Sequence, residues 1–132
     1  GGVVVRDGEV VVIVPTRRAA SGKKVLALPK GHVDPGETPG AAAERELAEE
    51  LGVTSVPLAP LDRFRYDDGR LRYHVFAYEA FWDGPVTWQP EEVAWGGWVT
   101  VAELRAVLAD PARPFAPDGR VGAQRWLARL GT

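Results

Sequence analysis

Two rhythms of apolar residues divide this chain into elements. The first is short and dense. "VVVRDGEVVVIVP" sets two Val-rich runs on either side of Asp7-Gly8. β-branched runs of that length read as strands, and an Asp-Gly pair supplies the positive φ angles of a tight turn, so residues 3–15 predict a hairpin. "TRRAASGKK" follows as a polar loop, "VLALP" as a short buried strand stopped by Pro29, and "KGHVDPGE" as a loop punctuated by glycine and proline. Then the period lengthens. Ala43, Leu47 and Leu51 recur every four residues, Thr38 can cap the start, Pro39 fits the first helical position and Gly52 lies just past the end. That predicts a helix from about 39 to 51.

The short rhythm returns in "LDRFRYDDGRLRYHVFAYEAFW", a second hairpin around Asp68-Gly69 with strands near 61–67 and 71–81. "DGPVTWQPEE" is loop and "WGGWVT" a short strand. Thr100 opens another helix, with Glu103 completing a capping box. Pro111, Pro114 and Pro117 stiffen 110–117. Asp118 is the expected cap of a last helix, with Ala123, Trp126, Leu127 and Leu130 on one face. The order is strands, helix, strands, helix, helix. It predicts an α/β fold with a mixed sheet between helical layers, and it lacks the regular βαβ alternation of a doubly wound fold.

Composition narrows the possibilities. A length of 132 residues suits a single domain, 1–132, with a real core. A net charge of −2 gives no global basic field, which argues against general nucleic-acid binding or an acidic membrane surface. The chain has no cysteine, so disulfides, thiolate nucleophiles and thiolate metal sites are excluded, and a reducing cytoplasm is the expected compartment. No apolar run approaches the ~18 residues of a membrane span. The sequence opens on "GGVVV" rather than methionine, which leaves open whether residues precede it.

One helix is crowded with like charge. With Leu47 facing the core, an advance of about 100° per residue carries Glu46 and Glu50 to one flank and Glu49 further round the same side. Residues spaced i, i+3, i+4 converge, and converging carboxylates repel unless a cation sits among them. Hard divalent ions take oxygen ligands, and Mg²⁺ binds a few carboxylates with water and substrate phosphate. Arg45 is placed to pair with Glu49 at i, i+4. The plain alternative is a solvated glutamate-rich face.

The preceding loop adds to this. Gly31, Glu37, Arg45, Glu46, Leu47, Glu49, Glu50, Gly52 and Val53 match every defined position of the Nudix signature: Gly, five residues, Glu, seven residues, then Arg-Glu-apolar-x-Glu-Glu-x-Gly-apolar. The stretch resembles the Nudix hydrolase family. The resemblance covers 23 residues directly and, through the surrounding elements, most of the chain.

The resemblance implies a Nudix-type α/β/α sandwich and a Mg²⁺-dependent (Mn²⁺ also possible) pyrophosphohydrolase. Its partner would be a small-molecule nucleoside diphosphate derivative, such as a nucleoside triphosphate or dinucleoside polyphosphate, taken by a monomer or homodimer. It also implies metal ligation by Glu46, Glu49 and Glu50, with the Gly31 carbonyl added, orientation of the carboxylates by Arg45, and support of the loop by Glu37. A divalent ion there would neutralise the diphosphate and lower the pKa of an attacking water. The base that takes the proton is Glu46 or a glutamate outside the box, with Glu91 or Glu92 best placed and Glu92 preferred.

Lys30 and the pair Arg17 and Arg18 are candidate phosphate contacts. His32 is expected to be polar surface. Trp82, Trp88 and Trp95 are candidate stacking surfaces for a base, whereas Trp98 and Trp126 are expected in the core.

The C-terminal part, "WGGWVTVAEL…FAPDGRVGAQRWL", resembles the Nudix branch related to isopentenyl diphosphate isomerases. Those need a loop cysteine and a Glu-x-Glu strand pair, and this chain has neither. Members acting on diadenosine tetraphosphate or ADP-ribose carry a Tyr or Pro fifteen to eighteen positions past the box, where this chain has Asp68, Gly69, Arg70 and Leu71. The rival class is a non-catalytic Nudix-like nucleotide-binding module.

Overall fold

A computed structural model describes residues 2–16 and 25–130. Strands β1 (Gly2–Arg6) and β2 (Glu9–Pro15) pair antiparallel, with Arg6 opposite Glu9. Asp7 and Gly8, at φ 32° and 74°, make the turn between them. Strands β3 (Ala59–Asp67) and β4 (Arg72–Phe81) form the second hairpin. There the Asp68 carboxylate accepts the backbone N–H groups of Arg70 and Leu71 at 2.8 and 2.7 Å, and Gly69 takes φ 85°. β5 (Val93–Thr100) completes a five-stranded sheet in the order β3-β4-β1-β2-β5. β1 runs parallel to β4 and every other pairing is antiparallel, so the sheet is mixed as expected.

Alternation along β1 and β2 builds two cores. Val4, Val11 and Ile13 face one side, where Leu47 and Leu51 of helix α1 (Pro39–Leu51) pack with Val53, Ala80 and Val93. Val3, Val10 and Val12 face the other. They pack there on Leu104 and Leu108 of α2 (Val101–Ala109) and on Ala123, Trp126 and Leu127 of α3 (Pro117–Arg129). This is why the valine runs carry no polar alternation: both faces of the central strands are covered. Fully burying a leucine is worth roughly 1.5–3 kcal/mol, so Leu47 and Leu51 alone hold α1 firmly to the sheet.

The helix ends follow their chemistry. The Thr38 hydroxyl accepts the Ala41 N–H at 3.1 Å, and Gly52 closes α1 at φ 65°. Thr100 and Glu103 form the reciprocal capping box.

Three sequence expectations change. "VLALP" joins no strand of the sheet and makes only two single bridges, Ile13 to Ala27 and Leu26 to Phe115, because Pro29 and the crossing of the chain toward Phe115 leave too short a run. Asp118 does not cap α3. Ala116 is the N-cap, Pro117 holds the first helical position, and the Asp118 side chain is drawn elsewhere. Leu130 is half-exposed rather than part of the buried face.

Candidate metal and substrate site

Three charged side chains are buried among the described residues: Glu46 at 4% exposure, Glu50 at 7% and Asp118 at 8%. The first two lie on the sheet-facing flank of α1, where the i, i+4 spacing puts them one above the other. Burial pushes the Glu50 carboxyl up to about 8, with the neighbouring Glu46 and Glu92 carboxylates adding to the rise. Burial also raises Glu46. Glu50 Oε1 is fully buried and has no hydrogen-bond partner. A buried orphan acceptor beside a second buried carboxylate costs free energy unless a cation or proton satisfies it.

Gly31 closes this pair. A Cβ at Gly31 would lie 2.8 Å from Glu46 Oε1, so any larger residue would push the Glu46 carboxylate from its place. Arg45 holds the loop in place. Its Nε and Nη2 donate to the two Glu37 oxygens at 2.9 and 3.0 Å, and Nη2 also donates to the His32 carbonyl at 2.8 Å. Glu37 in turn accepts the Asp34 N–H at 3.0 Å, and the Arg45 hydrogen bonds pull its pKa below the ordinary carboxylate value.

Glu49 does not join Glu46 and Glu50. Arg45 Nη1 donates to Glu49 Oε2 at 3.1 Å, and that side chain is half-exposed. The expected i, i+4 pair therefore forms, and it draws the third carboxylate away from the convergence that the spacing suggested. Among the described residues no three Asp, Glu or His groups enclose a cation position. The donor set still fits a divalent ion: two buried carboxylates, one with an orphan oxygen, a closely approaching glycine backbone, and the Glu49 carboxylate on the same helix next in sequence to Glu50.

The loop after β4 supplies a fourth carboxylate by an unforeseen route. Thr87 and Gln89 N–H groups cap the free carbonyls of Leu51 and Glu50 at the end of α1, at 2.9 and 3.0 Å. The Glu92 carbonyl accepts the Thr16 N–H at 3.0 Å. This double anchoring keeps exposed Glu92 close enough to repel Glu50.

A cavity of about 400 Å³ runs from Glu46 to Asp118. Leu28, Phe64 and Phe76 give it apolar walls, and Lys30, His32, Tyr73 and Asp118 are among its polar groups. Lys30 is ion-paired with Asp118 rather than free for phosphate. The Tyr73 hydroxyl donates to the same Asp118 oxygen at 2.5 Å. Burial raises the Asp118 carboxyl, but Lys30 and Tyr73 outweigh it and leave the pKa lowered. Neither Asp118 nor Tyr73 was singled out from the sequence as a site residue.

None of Trp82, Trp88 and Trp95 borders this cavity. Trp82 and Trp88 pack against the α1-side core, and Trp95 lies half-exposed at the sheet edge. Trp126 is core, with its indole N–H donating to Glu79 at 2.9 Å. Trp98 is partly buried under the Arg6 guanidinium. Arg17 and Arg18 lie outside the described residues.

The NUDIX domain family model matches residues 1–119. This chain belongs to the Nudix family. It is 43% identical to the uncharacterized Nudix hydrolase orf19 of Rhodococcus erythropolis over 132 residues, covering 90% of this chain and 71% of that protein. The MutT NUDIX hydrolase from Burkholderia pseudomallei superposes with a TM-score of 0.72 at 26% identity, covering 94% of this chain and 92% of the other. A Caenorhabditis elegans Ap4A hydrolase shares the fold at TM-score 0.72 and 20% identity, covering 98% and 94%. Members of the family hydrolyse pyrophosphate bonds, and this Nudix chain is a hydrolase of that kind. Among the described residues no helix is long and apolar enough to cross a membrane.

Proposed function

We propose that residues 1–132 act as a single Nudix domain that cleaves the diphosphate bridge of a nucleoside diphosphate derivative with the help of Mg²⁺ or Mn²⁺. The observation that carries this reading is Glu50, a buried carboxylate with an orphan oxygen beside Glu46 and the glycine-lined loop. Glu46, Glu50 and the Gly31 carbonyl would hold the cation, with Glu49 joining when it leaves Arg45. When bound, the ion supplies charge neutralisation at the diphosphate and acidifies an attacking water.

The other steps fall to the chain itself. Arg45 and Glu37 fix the loop, so the Gly31 backbone keeps its place beside Glu46. Glu92, exposed and close to Glu50, is placed to accept the proton of the attacking water. The apolar cavity beyond Glu46 takes the organic group of the substrate and excludes water from it. The fold shared with a hydrolase of a dinucleoside polyphosphate supports this substrate class.

A panel of nucleoside triphosphates, dinucleoside polyphosphates and nucleotide sugars, turned over with Mg²⁺ in ¹⁸O-water, tests the reading. Label should enter a phosphoryl product of at least one member. Thermal stabilisation by nucleotides with no hydrolysis in Mg²⁺ or Mn²⁺ would instead establish a binding module. Deuterium exchange into isopentenyl diphosphate would establish isomerase chemistry, which the absence of cysteine argues against.

A further inference from the structure

The sheet ends in two edge strands, β3 and β5, and they are built differently. A bare edge offers a row of free N–H and C=O groups to any other strand, and charge, proline or a bulge normally blunts it. β3 has all three: Pro60, a register shift between Pro60 and Asp62, and the charges of Asp62, Arg63, Arg65 and Asp67. β5 reads VAWGGWVT, with no charge and no proline, and its ladder with β2 is regular from Trp95 to Thr100.

The hydrogen bonds of β2 show which groups of β5 point outward. Ile13 stands opposite Gly96, yet it exchanges both its backbone hydrogen bonds with Ala27, each at 2.8 Å. Val101 N–H donates to the Gly8 carbonyl at 3.2 Å, one pair beyond Glu9 and Thr100. Antiparallel pairs alternate between bonded and non-bonded. Trp95, Gly97 and Val99 therefore bond to β2, and Gly96 and Trp98 turn their N–H and C=O groups away from it. Thr100 is the next outward residue, and the Glu103 carboxylate takes its N–H at 3.2 Å. Among the described residues, no backbone group outside the sheet pairs with Gly96 or Trp98.

An apolar ring lies beside this edge. Trp95 is 51% exposed, and its indole covers Gly97, where a Cβ would lie 3.0 Å from the ring. Under the ring, a cavity of about 330 Å³ lies against Val99, Leu104, Val107 and Phe115.

We propose that the β5 edge is a docking surface for a second copy of this chain, joined antiparallel about a twofold axis at Gly97. Only an even register sum keeps paired side chains on one face of a twofold seam, and an axis at Gly97 satisfies that. Gly96 of each copy then faces Trp98 of the other, and the two outward residues exchange four hydrogen bonds across the seam. Gly97 meets its own copy at a non-bonded position, where strands come closest and a side chain would collide. Each Trp95 ring, lying over its Gly97, meets the other across the axis. The absence of charge on β5 favours its own copy as the occupant, since the strand can lie against itself without repulsion. A seam of a few residues and two indoles falls short of the ~1,600 Å² of a standard interface, so the dimer is weak and concentration-dependent. None of this rests on the hydrolase reading.

Sedimentation of the wild-type chain between about 10 μM and 1 mM, with amide hydrogen exchange at both ends of that range, tests the proposal. The weight-average mass should rise toward twice that of the monomer. The Gly96 and Trp98 amides should exchange at least tenfold more slowly at the high concentration. The Gly97 and Val99 amides, bonded to β2, should be protected at both concentrations. Trp95→Lys puts a charge on the seam and should weaken association at least tenfold with circular dichroism unchanged. A monomer throughout the range would overturn the proposal. So would a dimer in which the Gly96 and Trp98 amides stay fast, since another face would then hold it. A folded Trp95→Lys that associates like wild type would also overturn it. If Trp95→Lys does not fold, the wild-type exchange pattern still decides.

Discussion

The Nudix box and the far end of the cavity are both built from charged side chains that fix one another, but they are assembled in opposite ways. In the box, Glu37, Arg45, Glu46, Glu49 and Glu50 lie within fourteen residues, and helix geometry alone brings most of them together. At the far end, Lys30, Tyr73 and Asp118 come from a loop, a strand and the last helix. The box leaves an oxygen of Glu50 without a partner, whereas the far end satisfies its buried carboxylate with three donors. An unsatisfied buried acceptor suits a site that binds a cation, and a carboxylate held by three donors suits a fixed joint between loop, strand and helix.

The largest effect should come from breaking the unsatisfied side. Glu50→Gln keeps the shape and removes the charge. Turnover in saturating Mg²⁺ should fall about 100-fold or more, since cation-based stabilisation of the transition state is worth several kcal/mol. The metal-free protein should melt no lower than wild type, because the amide needs no proton taken up to stay neutral in a place where burial disfavours charge. Near wild-type kcat in this variant would remove Glu50 from the metal set.

This contrast also explains what could be read from the chain. The hairpins, the three helices, the mixed sheet and the box were legible because each rests on local period, turn chemistry or fixed spacing. Thr38, Gly52 and the Thr100–Glu103 box sit where their chemistry put them. Asp118 misled because an aspartate next to Pro117 has the local signature of a cap, and nothing local reveals a lysine 88 residues away. Lys30 was read as a free cation for the same reason. Glu49 was expected to converge on Glu46 and Glu50, but an ion pair with Arg45 on its own helix competes with that arrangement. Trp126 is core as expected, while Trp82, Trp88 and Trp95 stay off the cavity, because ring size signals core and stacking surfaces equally.

Arg45 is the next place to press the comparison. Its guanidinium makes hydrogen bonds to Glu37, Glu49 and the His32 carbonyl at once. Arg45→Lys keeps the charge but cannot span these acceptors. The loop bearing Gly31 should loosen, and the Mg²⁺ concentration for half-maximal rate should rise about 10- to 100-fold, as for other groups that orient metal ligands. The Asp118 end should be indifferent, with nucleotide preference unchanged. A lysine variant with wild-type Mg²⁺ dependence would show that the network only decorates the helix.

A smaller effect should appear in stability against pH. The folded chain holds the Glu50 proton up to about pH 8, whereas the carboxyl's ordinary pKa is 4.5. Below pH 4.5 the group is protonated in both states and carries no penalty. Between 4.5 and 8 the folded state binds more protons than the unfolded, so stability of the metal-free protein falls as pH rises, by about a few kcal/mol across the window. Mg²⁺ should restore more of that loss at pH 8 than at pH 5, because it must displace the proton at the lower pH. Activity should rise toward alkaline pH for the same reason. Urea denaturation at the two pH values, with and without Mg²⁺, measures this, and Glu50→Gln should flatten the slope. An unchanged slope in that variant would assign the dependence to another group.

The smallest effect comes from two glycines, one from each region. Gly52 ends α1 at φ 65°, and a Cβ there would lie 3.1 Å from Thr87 Cβ, on the loop that carries Glu92. Gly52→Ala therefore faces both an unfavourable backbone conformation and a crowded neighbour, and should cost about 1 kcal/mol or more. Gly122 lies inside α3 with only an ordinary contact to Phe64 in the way. Gly122→Ala should raise stability by about 0.5–1 kcal/mol, the usual helix gain over glycine. If the space beside Gly122 serves ligand binding, the same methyl should weaken nucleotide affinity severalfold while the protein becomes more stable. Opposite signs for stability and affinity at position 122, against a plain loss of stability at position 52, would separate a glycine kept for room from a glycine kept for backbone shape. Gain in both stability and affinity at 122 would mean that the cavity does not use that space.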